Sequence, residues 1–259
     1  MAKFGVAQPV RRVEDPRLLL GGGRYTDDIV LPNETIGVVL RSPHAHARIN
    51  AIDASGAKSM PGVLAVYTAA DLNADGIGIL PCTIPLQNRD GSDRADPPHP
   101  VLADTHVRHV GDPVAFIVAE SHQAARDGAE AVSVDYDILP SCTDLATAMD
   151  AGAAQVWPGA KNNVVFDWEA GNKARTEELF AQAAHVTRLT VVNNRIVVNS
   201  MEARAAIAEY EGDRWTLYAN TQGGWGIKDL LGAEVFKVGA DKFRVITPDV
   251  GGGFGMKGA

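Results

Sequence analysis

The chain has 259 residues, 46% of them hydrophobic and 22% charged, with a net charge of −8. That is an ordinary soluble globular profile, with material for one large domain or two modest ones. The acidic balance, a pI near 5.3 and the scattering of Lys and Arg among acids argue against a nucleic-acid or anionic-membrane partner.

Cys82 and Cys142 stand far apart. A disulfide framework, a zinc site or an iron–sulfur cluster needs more ligands or closer spacing, so both read as reduced structural thiols. Any iron–sulfur centre is then expected on another chain. No apolar run approaches the length of a membrane span, Val114–Ala119 being about the longest clean stretch. Arg11-Arg12 is followed by Glu14, Asp15 and Arg17 where a twin-arginine signal needs apolar residues, so a cytoplasmic location is expected.

Residues 1–19 read as an N-terminal arm. Residues 16–31 alternate turn formers with short apolar runs, and Gly21-Gly22-Gly23 marks a loop. Ile36–Arg41 is β-rich, and Pro61-Gly62 turns into an apolar run, Val63–Tyr67, with the character of a buried strand. Residues 82–100, rich in proline and poor in apolar side chains, form a long surface loop. Pro113–Ala119 then predicts a buried strand, Ser121 a helix cap for 123–131, and Val132–Tyr136 a further strand. Strand, helix, strand predicts a mixed α/β domain ending near residue 145.

Residues 146–165, punctuated by Gly152, Pro158-Gly159 and Asn162-Asn163, read as a connector. Thr176-Glu177-Glu178 predicts a helix to about Ala184, with both acids in its first turn. His185–Val192 is strand-like, Ala205–Tyr210 and Trp215–Asn220 flank a Gly212-Asp213 hairpin turn, Gly226–Val238 reads as helical, and Phe243–Thr247 as a strand.

The sharpest local feature is Gly251-Gly252-Gly253-Phe254-Gly255-Met256-Lys257. Glycines let consecutive backbone N–H groups face an oxyanion without side chains intervening. A plain turn is one reading. A dinucleotide fingerprint is a second, since Gly253, Gly255 and Gly258 fit G-x-G-x-x-G, but the required helix and distant acid are not in the sequence.

The third reading is a resemblance that runs through the chain. Arg12-Val13-Glu14-Asp15-Pro16, Gly23-Arg24-Tyr25-Thr26-Asp27-Asp28, Arg41-Ser42-Pro43-His44-Ala45-His46-Ala47, Pro61-Gly62-Val63 and His109-Val110-Gly111-Asp112-Pro113-Val114 follow in order. Val134-Asp135-Tyr136 with Leu139-Pro140, Asn193-Asn194-Arg195, Met201-Glu202-Ala203-Arg204-Ala205, Thr221-Gln222-Gly223 and the glycine loop complete the series. Together they resemble the molybdopterin-binding large subunit of molybdenum hydroxylases, the xanthine dehydrogenase/aldehyde oxidase family, including carbon monoxide dehydrogenase-like members.

The resemblance implies an α+β (mixed α/β) chain: an α/β hammerhead domain over 20–145, a linker at 146–165, and over 166–259 the incomplete start of the first molybdopterin-binding domain. It implies cofactor contacts from Gln222, Gly252, Gly253, Phe254 and Gly255. An amide donor suits an anionic oxo group, and glycine backbone permits near-contact. The implied reaction is hydroxylation of an aldehyde or N-heterocycle with water as oxygen source. Its glutamate base is expected outside this sequence, so no catalytic residue and no direct metal ligand is assigned here. The cofactor the resemblance implies is molybdenum-molybdopterin, expected in the cytosine dinucleotide form and only partly bound by this chain. The partners it implies are the remaining molybdopterin-binding polypeptide, an iron–sulfur small subunit carrying [2Fe-2S] and a medium subunit carrying FAD. The chain alone is expected to be inactive and poorly soluble. A non-catalytic remnant or assembly module that docks partner subunits is the alternative.

Ser200 and Ala203 depart from the prolines frequent in relatives, and Gly258 stands where purine-oxidising members carry a substrate-binding glutamate. Purine hydroxylation is thereby disfavoured. His44 and His46 lie at strand spacing but lack a third ligand, and His109 reads as a turn or packing residue. Glu202 and Arg204 favour a structural ion pair or backbone hydrogen bonding over acid/base work. Trp215, Trp225 and Phe236 read as core.

Overall fold

Val114, Ala115, Ile117 and Ala119 have no exposed surface, and the strand that carries them is central to its sheet. A run of small and β-branched residues with so little polarity is suited to burial, and only Phe116 of the strand is exposed. The computed structural model describes residues 9–82, 84–194 and 196–258; Arg195 of the Asn193-Asn194-Arg195 motif lies outside them. The strands are β1 (Ile36–Arg41), β2 (Ala47–Asp53), β3 (Val63–Thr68), β4 (His106–Val107), β5 (Pro113–Ala119) and β6 (Ser133–Ile138). They form two three-stranded antiparallel sheets, ordered β1-β5-β3 and β4-β2-β6.

Helix α1 (His122–Glu130) starts as its sequence predicts, with the Ser121 hydroxyl accepting the Ala124 N–H at 3.2 Å. Gly128 lets this helix approach the sheet, because a Cβ there would lie 2.9 Å from a Val63 methyl and 3.2 Å from an Ile117 methyl. Ala57, Val66, Ala115, Ile117, Ala129 and Val132 make one core cluster, and Ala47, Ala103, Val107 and Val114 a second. Ile52 and Val134 pack against both. Strand β2 escapes sequence reading because Arg48 and Asn50 interrupt its apolar pattern and its register shifts between Ile49 and Ala51.

Helix α2 (Lys173–Gln182) begins earlier than its sequence suggests. The Asn172 side chain caps it by accepting the Arg175 N–H at 2.9 Å, which leaves Glu177 and Glu178 outside the first turn. The predicted strand over His185–Val192 is not formed: Leu189, Val191 and Val192 are exposed, and no ladder runs along the segment. β-branched residues make a segment able to pair, but a strand exists only with a partner backbone.

Strands β7 (Ala206–Glu211) and β8 (Arg214–Ala219) form the predicted hairpin. Gly212 and Asp213 both take positive φ, 56° and 66°, as a two-residue turn between twisted strands requires. Helix α3 (Gly224–Leu230) leads from β8 to β9 (Phe243–Ile246), which pairs parallel with β8. Trp215 stacks on Phe243 at 5.0 Å. Trp225 departs from its core reading: it is 78% exposed, with the Lys228 ammonium 5.1 Å from its ring, because the opposite face of α3 carries the packing. Phe236 is also partly exposed.

Contacts gather the chain into two compact units, one of Asn33–Ile196 with Glu234–Lys237, the other of the residues up to Pro32 with Val197–Ala233 and the stretch from Val238 on. Residues 165–169 stay with the first unit because the Ala95 N–H donates to the Val165 carbonyl at 2.8 Å and Arg89 pairs with Asp167 and Glu169. The segment around residues 17–26 joins the second through Asp249 and Glu202.

Ile117→Ala is expected to cost about 2–5 kcal/mol in urea denaturation, the range for emptying a closely packed aliphatic site. A much smaller loss would show that the sheet collapses onto the cavity.

Candidate functional site

The glycine loop leaves β9 through Asp249, and three of its residues take positive φ: Gly252 at 108°, Phe254 at 50° and Gly255 at 84°. Such a path, with glycine at most positions, leaves backbone groups uncovered by side chains. Its entry is held by Asp249, which accepts both Arg17 guanidinium N–H groups at 2.6 and 2.7 Å and the Arg24 N–H at 2.7 Å. The Arg17 pair and the Arg24 amide hold the Asp249 carboxyl far below the ordinary carboxylate range.

Glu202 holds the loop further on. Its Oε2 accepts the Gly251 N–H at 2.7 Å and the Lys257 ammonium at 2.9 Å, while Oε1 faces the Thr26 N–H at 3.5 Å. Burial works to raise this carboxyl, but hydrogen bonds from Asn220, Gly251, Lys257 and Thr26 outweigh it and leave the group below its ordinary value. Lys257 is itself buried.

Gln222 holds the middle. Its side-chain oxygen accepts the Gly255 N–H at 2.9 Å, and its backbone N–H donates to the Lys257 carbonyl at 2.7 Å. The Thr221 hydroxyl donates to the same carbonyl at 3.0 Å. A Cβ on Gly253 would sit 2.5 Å from the Gln222 amide carbon, so this contact exists only with glycine there. Beside these residues lies an open hollow of about 270 Å³ lined by Arg204, Ala206, Asn220, Thr221, Ile227 and Lys257 among others.

The structure thus brings Gln222, Gly252, Gly253, Phe254 and Gly255 together. Among the described residues, the N–H groups of Gly252, Gly253 and Phe254 and the amide nitrogen of Gln222 have no acceptor. Three successive backbone donors beside a side-chain amide are a donor set for an anionic oxygen group, and they fit an oxo-bearing cofactor. Glu202 does make a structural ion pair, but with Lys257 and not with Arg204. That partner lies 55 residues away in the chain, beyond the reach of local pattern.

His44, His46 and His109 do not converge on one another, although the His46 and His106 rings lie 6.3 Å apart. His44 lies edge-on to Tyr136 at 4.9 Å and the His46 ring meets the Pro140 carbonyl at 2.7 Å. His109 sits in a turn, its carbonyl accepting the Asp112 N–H at 3.2 Å. Among the described residues there is no group of three or more side chains able to hold a metal ion, and both cysteines are free.

Comparison with known proteins settles the family. Residues 20–140 match the family model "Aldehyde oxidase and xanthine dehydrogenase, a/b hammerhead domain", and residues 156–259 match "Molybdopterin cofactor-binding domain". The chain belongs to the aldehyde oxidase and xanthine dehydrogenase family of molybdenum hydroxylases. It is 35% identical to the carbon monoxide dehydrogenase large chain of Afipia carboxidovorans, across 95% of this chain and 31% of that protein. It is also 35% identical to the nicotine 6-hydroxylase large subunit of Paenarthrobacter nicotinovorans, across 97% of this chain and 30% of that protein. Quinoline 2-oxidoreductase from Pseudomonas putida superposes with a TM-score of 0.82 at 33% identity, across 96% of this chain and 31% of that one. The chain spans under a third of the length of these relatives. The mixed α/β fold, with a hammerhead domain followed by the start of a molybdopterin-binding domain, is the one the sequence predicts.

Gly253→Ala is expected to displace the Gln222 side chain and expose the Gly255 amide to exchange. In a double-mutant cycle with Gln222→Ala the two losses should overlap rather than add; full additivity would separate the two residues. Because the Glu202 and Asp249 carboxyls are depressed, their contribution is complete above the ordinary carboxylate range and lost as pH falls below about 4. The melting temperature should therefore fall less between pH 7 and pH 3 in a Glu202→Gln/Asp249→Asn variant than in the natural chain; equal falls would rule out these two groups as the source.

Proposed function

We propose that this chain supplies one wall of the cofactor pocket in the large subunit of a molybdenum hydroxylase that oxidises an aldehyde or N-heterocycle with oxygen from water. The observation that carries this reading is the set of unpaired donors: three consecutive backbone N–H groups at Gly252–Phe254 next to the Gln222 amide nitrogen. When bound, molybdenum-molybdopterin supplies the redox chemistry at the substrate carbon.

The chain's own part is binding and orientation. Gly252, Gly253 and Phe254 would offer backbone donors to the cofactor, and Gly255 ties the Gln222 oxygen so that the nitrogen of the same amide would remain available to it. Glu202 is poorly suited to be the base, because its carboxylate is already occupied by Gly251, Lys257 and Thr26 and is held ionised. The proton-accepting carboxylate therefore belongs to the remaining molybdopterin-binding polypeptide.

The similar proteins are named as a large chain, a large subunit and a complex subunit, which supports assembly with a [2Fe-2S] small subunit and an FAD-binding medium subunit. The cytosine dinucleotide form of the pterin and a cytoplasmic location complete the reading. Among the described residues no helix is long and apolar enough to cross a membrane. Substrates such as nicotine and quinoline, for which two similar proteins are named, fit better than purines, because Gly258 offers no carboxylate.

Purification from the native host should recover the chain with molybdenum, pterin, flavin and iron–sulfur polypeptides. Gln222→Leu should lower the molybdenum recovered per chain by about tenfold or more, the effect typical of losing an orienting partner of a metal site. A chain recovered alone and free of molybdenum would overturn the proposal.

A further inference from the structure

The bonds that hold the glycine loop converge on one carboxylate. Oε2 of Glu202 takes the N–H of the first loop residue, Gly251, and the ammonium of the last, Lys257, at 2.7 and 2.9 Å. The pair is sequestered, the Glu202 side chain being 13% exposed and that of Lys257 2%. The two residues also meet closely: the Glu202 N–H donates to the Gly251 carbonyl at 3.2 Å, and a Cβ on Gly251 would lie 2.5 Å from the Glu202 Cβ.

A buried ion pair is weak evidence of stabilisation, since apolar residues of similar volume fill such a space as well. The Gly251 N–H makes a different demand. It needs an acceptor at that point, and Lys257 needs an anion at the same point. Asp and Glu alone meet both, and only Glu has the reach seen here. The Lys257 carbonyl in turn accepts from Gln222 and Thr221, so fixing Lys257 also fixes the stretch of chain against which Gln222 rests.

We propose that Glu202 is the positioning residue of the glycine loop: it ties both ends to one oxygen and so sets the direction in which the free N–H groups of Gly252, Gly253 and Phe254 point. It acts through the loop backbone and touches no ligand. That role holds whether or not a pterin is what the loop binds, so its failure and the failure of the functional reading are separable.

Hydrogen exchange on the full chain tests it. In Glu202→Ala the Gly251 amide should exchange about tenfold faster or more, the loss expected for a bond to a charged acceptor, while the β7–β8 hairpin keeps its protection. Glu202→Gln should recover part of that protection, because an amide oxygen still accepts the Gly251 N–H without the charge. The exchanged pair Glu202→Lys/Lys257→Glu restores opposite charges but leaves a cation beside the Gly251 N–H, so Gly251 should remain fast. Restored protection in the exchanged pair, or unchanged exchange in Glu202→Ala, would reduce Glu202 to one half of an ion pair and overturn the proposal. Should the Glu202 variants not fold, Lys257→Met decides: Gly251 is expected to stay protected while the Lys257 end opens, and equal loss at both ends would overturn it.

Discussion

A loop that keeps its N–H groups free for a ligand cannot use those groups to hold itself. Gly252, Gly253 and Phe254 donate no backbone hydrogen bond among the described residues, so the shape of the loop depends on what grips its ends. That grip comes from two ionised carboxylates, Asp249 at the entry and Glu202 across both ends, with Gln222 against the middle. Charge-assisted bonds are the strong ones available to a protein, and they are directed enough to set a backbone path. Loop geometry and donor availability are therefore one problem with one solution.

The glycines serve that solution twice over. At Gly252 and Gly255 they permit a path that side chains resist, and at Gly251 and Gly253 they leave room for Glu202 and Gln222 to come into contact. Conformation alone would explain only the first pair. The close approaches explain why glycine also stands where φ makes no demand. The hammerhead unit follows a different logic, with small and β-branched residues in two clusters bridged by Ile52 and Val134. Its stability comes from apolar burial.

Much of this is legible in the residues themselves. The buried β5, the Ser121 cap, the Gly212-Asp213 hairpin turn and the glycine loop each follow from local chemistry acting over a few residues. The family resemblance assigns Gln222 and the loop to the same cofactor. Illegible are the associations that join distant segments. Local pattern gives Glu202 a structural ion pair or backbone hydrogen bonding, and it makes both, but with Lys257 and Gly251 far along the chain rather than with Arg204 close by. Trp225 reads as core because tryptophan is apolar, but the helix turns that face outward. His185–Val192 has the β-branched composition of a strand and lacks a neighbour to pair with.

By itself the sequence determined most of the elements, the turns, the acidic balance, and the family. These depend on interactions between residues a few positions apart, or on the order of motifs, and both are written along the chain. Only the tertiary structure decided which carboxylate meets which cation, how the segment around residues 17–26 braces Asp249, and which backbone donors are left without acceptors. Those outcomes depend on distances between residues far apart in sequence, and no local rule of propensity or spacing contains them.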